Sequence, residues 1–176
     1  MKKYIIIGLS AFLLFQTLGR DAKTVMIPED AIRFRVVANS DSKEDQALKM
    51  KVSEAVQGDL YTMLSNTKGS DEARKTIQSS LPDLRLKVAN TLKEEQSTLP
   101  FELNYGMNYF PKKVYKGVTY KEGEYESLLI TLGKGEGKNW WCVLFPPLCI
   151  MEAEETEAKE ETEYKFFIQE LIEKYL

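Results

Sequence analysis

The sequence predicts an α+β domain, a largely antiparallel sheet with helices packed on it. Three observations predict it. Strand-like alternation opens the body at 31–38, helical apolar spacing fills 43–96, and alternation returns from 101 to 145. The expected order is an N-terminal strand, three helices, a β meander and a C-terminal helix. With 176 residues the chain is long enough for one domain with a real core.

Residues 31–38 (AIRFRVVA) place Ile32, Phe34 and Val36 on one face and Arg33, Arg35 and Val37 on the other, a half-buried strand. Asn39, Ser40, Asp41 and Ser42 then form a turn and cap cluster, with Asp41 and Glu44 spaced as an approximate capping box. Ala47, Met50, Val52, Ala55, Val56, Leu60, Met63 and Leu64 make an amphipathic helix over 43–65. Ser70 is placed to cap a short helix through 79. Pro82 suits the first turn of a third helix, whose stripe is Leu84, Val88 and Leu92.

The character then changes to β. Residues 101–109 alternate Phe, Leu, Tyr, Met and Tyr, 113–120 predict a shorter strand, and 125–132 carry a Leu128–Ile130–Leu132 face. Gly133, Gly135 and Gly137 read as a hairpin loop. The run 139–145 is nearly all apolar and is expected to be central or covered on both sides. Residues 31–151 form the body, 20–30 are an entry segment, and 152–163 are an acidic connector with seven glutamates and one lysine. Apolar spacing at Phe167, Ile168, Leu171, Ile172 and Tyr175 predicts a docking helix over 164–176.

Residues 1–19 read as an export signal. Lys2 and Lys3 begin it, 4–18 are mostly apolar, and Thr17 and Gly19 place small residues at minus three and minus one of a cleavage site. An uncleaved membrane anchor is the competing reading. The apolar stretch spans roughly 22 Å as a helix against a hydrocarbon core of about 30 Å, so length favours a cleaved signal. Removing 1–19 takes away two lysines and no acid, leaving 22 basic against 27 acidic residues. That acid excess and the export signal argue against nucleic acid as a partner.

The chain has no histidine, which removes Ser-His-Asp and Cys-His nucleophiles. With two cysteines it cannot build a thiolate or thiolate–imidazole zinc site. No metal or cofactor is expected. The acids between 39 and 45 do not make a calcium loop, because Lys43 falls on a ligand position and no glycine follows at the sixth. Any two of 27 acids can be imagined as a hydrolytic pair, so that signal has no specificity.

One run concentrates unusual chemistry. Residues 137–149 (GKNWWCVLFPPLC) hold both tryptophans, both cysteines and a diproline. In a strand, Trp140, Cys142 and Leu144 share one face and Trp141, Val143 and Phe145 the other. One tryptophan is therefore core. The other, with Phe145, Pro146 and Pro147, is either core or an interaction patch. Cys142 and Cys149 either form a disulfide, as the export signal favours, or pack as two buried thiols. Arg33 and Arg35 beside Asn39 and Asp41 make either a recognition patch or ordinary ion pairs on an exposed sheet face.

The runs 32–42 (IRFRVVANSDS) and 44–49 (EDQALK) resemble the N-terminal signature of the stage II sporulation protein R family. The runs 110–113 (FPKK), 123–126 (GEYE) and 139–149 (NWWCVLFPPLC) resemble its C-terminal signature. The resemblance implies a non-enzymatic protein exported into the space between forespore and mother-cell membranes. There such proteins activate a membrane-embedded aspartic protease of the mother cell, which processes the sigma-E precursor. It implies that protease as partner, no small-molecule substrate, and leaves the oligomeric state open. The partner-contact candidates are Arg33, Arg35, Asn39, Asp41, Trp140, Trp141, Phe145, Pro146 and Pro147. The rival reading is a secreted glycan-binding module or carboxylate-based hydrolase, which requires two carboxylates about 5–9.5 Å apart near a tryptophan.

Overall fold

In the computed structural model, which describes residues 30–115 and 118–148 with 28, 169, 170, 172 and 173, the strand that opens the body lies inside the sheet. β1 (Ile32–Val37) runs parallel to β5 (Gly123–Leu132) and antiparallel to β6 (Asn139–Phe145). β2 (Phe101–Phe110) pairs antiparallel with β5 and completes the order β2-β5-β1-β6. β1 is an inner strand because it pairs along both edges, and both its faces are buried: Ile32, Phe34 and Val36 on one, Arg33 and Val37 on the other. It is not the half-buried strand that its alternation predicts.

The expected meander is corrected in the same way. β1 sits between β5 and β6, so the loop 133–138 is a crossover past the end of β1 and not a hairpin. β6 is an outer strand. Asn139 to Cys142 are only half-buried, and Val143, Leu144 and Phe145 are fully covered. The single strand expected over 113–120 is a ribbon of β3 (Lys113–Tyr115) and β4 (Val118–Tyr120), outside the main sheet.

Two helices replace the expected three in the middle of the chain. α1 (Lys43–Leu64) is capped by Ser42, whose side chain accepts from the Asp45 N–H, so the cap is not Asp41. α2 (Ser70–Glu94) starts from Gly69, not from a capping Ser70, and Glu72 reaches back to accept from the Lys68 N–H. α2 continues through Pro82, which costs about 3 kcal/mol in a helix interior. Continuity wins because Ala73, Ile77, Leu84, Val88 and Leu92 stay in phase along one buried stripe across the proline.

That stripe packs with Val52, Val56 and Leu60 of α1 on Phe34, Val36, Leu128, Ile130 and Leu132 of the sheet. Each such side chain contributes about 1.5–3 kcal/mol on burial. The helices therefore cover one face of the sheet. Arg33, Arg35, Ser127, Trp141 and Val143 project from the other, as the register requires.

The export signal and acidic connector lie outside the described residues. So does the docking helix, except that Gln169, Glu170, Ile172 and Glu173 are helical. Among the described residues no helix is long and apolar enough to cross a membrane.

Candidate functional site

Arg33 and Arg35 leave β1 on the face away from the helices, about 7 Å apart along the strand. Arg33 is 3% exposed. A buried guanidinium ordinarily has a carboxylate partner. This one has rings: its Cζ lies 4.3 Å from the Phe110 centroid, 4.5 Å from Tyr125 and 5.5 Å from Tyr120. Each such contact is worth about 0.5–2 kcal/mol. Burial pulls the Arg33 pKa down, and the Tyr125 and Tyr120 hydroxyls oppose that pull. The group stays charged, as arginine does in proteins. Its Nε and Nη1 are buried without a hydrogen-bond partner among the described residues, and so is Nε of Arg35.

Trp141 forms the outer part of the site. Its ring meets Phe110 edge-on at 5.1 Å and 67°, and Phe110 meets Tyr125 the same way at 5.9 Å and 81°. The Arg35 Cζ lies 4.8 Å from the Trp141 centroid, and the Lys113 Nζ lies 5.9 Å from it. Trp141 and Arg35 are half-buried and Lys113 is exposed. The result is a graded cationic shelf, from Lys113 at the surface through Arg35 to enclosed Arg33. Among the described residues the ion pairs are Arg74 with Asp71 and Glu126, and Lys87 with Asp59. None of the three shelf cations is paired with an acid there. Among the described residues, Arg33 and Arg35 meet aromatic rings in place of the ion pairs that are one of the two expectations for them.

Asn39 and Asp41 lie elsewhere and do other work. Asn39 donates to Asp45 Oδ2 at 2.8 Å and accepts the Lys134 N–H at 3.0 Å. Asp41 accepts the Lys138 N–H at 2.7 Å. Together they fasten the 133–138 crossover to the start of α1. The loop requires glycine at three positions: Gly133 has φ +56°, Gly135 has φ +67°, and a Cβ at Gly137 would strike the Ser40 carbonyl.

Trp140 faces the core, edge-on to Phe34 at 5.4 Å and 77°. Phe145, Pro146 and Pro147 are buried and present no surface of their own; a register shift pairs Phe145 with Ile32 and places it in the helix-side core, not on the Trp141 face that alternation predicts. Cys142 is half-buried in β6, and Cys149 lies outside the described residues. Of the sequence-predicted contact residues, the fold brings Arg33, Arg35 and Trp141 together.

Phe110, Lys113, Tyr120 and Tyr125 were not among those predicted. The runs FPKK and GEYE contain three of them. Only the pairing of Asn108 with Tyr125 and of Phe110 with Gly123 brings them over β1, and that register is invisible from one strand at a time. Among the described residues, the charged groups recorded at the Trp141 ring are the cations Arg35 and Lys113. A cavity of about 610 Å³ at the end of α2, lined by Leu92, Lys93, Gln96, Leu99 and Phe101 among others, has no carboxylate in its wall. Among the described residues no cluster of acids or cysteines could hold a metal ion.

The sequence model of a family described as stage II sporulation protein R matches residues 28–155. A stage II sporulation protein R of Bacillus subtilis (strain 168) is 38% identical over 187 aligned residues, covering 100% of this chain and 84% of that protein. No solved structure matches.

Proposed function

This chain belongs to the stage II sporulation protein R family and has a role in sporulation; on that premise we propose that it is an exported ligand that activates a membrane-embedded aspartic protease of the mother cell. The protease then processes the sigma-E precursor. The ligand acts in the space between the two membranes and catalyses nothing itself. Its mechanism is differential binding: it holds the protease's active, dimeric state more tightly than the inactive one. Each tenfold preference corresponds to about 1.4 kcal/mol of additional contact energy in that state.

One observation carries the reading to a surface. Four runs far apart in sequence, around Arg33, Phe110, Tyr125 and Trp141, meet on the sheet face that the helices leave uncovered. Arg33, Phe110 and Tyr125 are buried there, while Trp141 and Arg35 are half-buried and Lys113 is exposed, so the spot keeps an accessible rim. Tryptophan and arginine at a partly desolvated spot are the residue types that dominate binding energy at protein interfaces.

The test is sigma-E precursor processing in sporulating cells that export a Trp141→Ala chain. Loss of an interface tryptophan costs about 2–4 kcal/mol of binding, so processing falls at least tenfold at equal exported amounts. Undiminished processing by a folded, exported Trp141→Ala chain removes this face as the contact surface.

A further inference from the structure

We propose that the Arg33–Arg35–Trp141 shelf is a binding site for a carboxylate, the side chain of an aspartate or glutamate presented by the partner. The inference rests on the ligand reading above only for who presents the acid. The site itself follows from unmet chemistry. Arg33 is 97% buried, yet two of its three nitrogens have no acceptor among the described residues. Leaving buried donors of a charged group unmet is among the costlier arrangements in a protein. Arg35 adds a third unmet buried nitrogen, Nε, on the same face. The rings beside them supply attraction to positive charge but no hydrogen-bond acceptor along the plane of the guanidinium.

The ligand class follows from what those donors lack. Guanidinium groups present a planar fork that a carboxylate matches with two parallel bonds, and a neutral amide does not supply the charge. Exposed Lys113 at the rim extends the positive field outward and steers an acid inward. The Trp141 indole, flanked by Arg35 and Lys113, excludes water from one side of the incoming group. The shelf is a positive spot on a chain whose acids outnumber its bases. It therefore favours an acidic partner segment.

The experiment is a side-chain NMR titration of the purified chain. The probes are N-acetylglutamate amide and its glutamine counterpart at matched ionic strength. The resonances followed are Nε–H of Arg33 and Arg35 and the indole N–H of Trp141. Saturable shifts with the glutamate probe, absent with the glutamine probe, are expected. Arg35→Gln is expected to weaken the apparent affinity about tenfold, the loss of one charge-assisted pairing. Arg33→Lys, which keeps the charge in the buried position, guards against misfolding and is expected to retain part of the response. Equal shifts with both probes, or none with either, overturn the carboxylate site. The titration contains no protease, so its failure leaves the ligand reading to the processing assay, and a normal assay with Trp141→Ala leaves the titration result intact.

Discussion

Asn39 shows at the residue scale how a surface-like polar residue becomes structural. Its side chain bonds both Asp45 and the Lys134 backbone, and so ties α1 to the crossover loop. Asn39→Ala is expected to lower unfolding stability by about 1–2 kcal/mol in urea titrations, without affecting the Trp141 surface. The Asp45 carboxylate accepts from Ser40 and Asn39, and those bonds hold its pKa below the ordinary carboxylate value. A depressed folded-state value means a contribution present above the unfolded pKa of about 3.9 and lost as pH falls through the folded one. Asp45→Asn is expected to flatten the acid limb of a stability-versus-pH curve below about pH 4. An unchanged acid limb would contradict the assignment. The cap cluster was legible in sequence as a turn before a helix. Which of its residues caps the helix and which hold the loop was not, because the loop arrives from 95 residues away.

Pro82 makes the corresponding point for elements. A proline at that position reads locally as a helix start, and local rules placed a boundary there. The buried stripe from Ala73 to Leu92 overrode them, since tertiary packing outweighs a single local penalty. Pro82→Ala is therefore expected to stabilise the protein, by about 1–3 kcal/mol on chemical denaturation. Destabilisation would mean that the proline bends α2 to fit the sheet. Strand positions were legible from alternation almost to the residue, but strand order was not. Arg33 and Arg35 predict an exposed face for β1, whereas the inner position of that strand comes from its pairing with β5 and β6. Those pairings depend on contacts about a hundred residues apart. The outer position of β6 escapes the sequence for the same reason, because apolar continuity reports covered faces and not neighbouring strands.

For the whole molecule, the helices cover one face of the sheet and leave the opposite face for the proposed contact. The same fold gives Trp140 and Trp141 separate duties, one toward the core and one toward the shelf. Family membership was legible in the runs around Arg33, Phe110, Tyr125 and Trp141, but their meeting point was not, because it exists only after β2, β5, β1 and β6 align. An exported chain with Cys142 and Cys149 joined is expected to leave both thiols unlabelled by alkylation until it is reduced. Labelling of both before reduction would mean two separate thiols. The proposed ligand meets a membrane protease through the face that carries Trp141. The most direct measurement places a photoreactive side chain at Lys113, on the rim of that face, or at Leu86, 60% exposed on α2, and cross-links during sporulation. A protease adduct from position 113 and none from 86 is the predicted result. An adduct from 86 with none from 113 would contradict it.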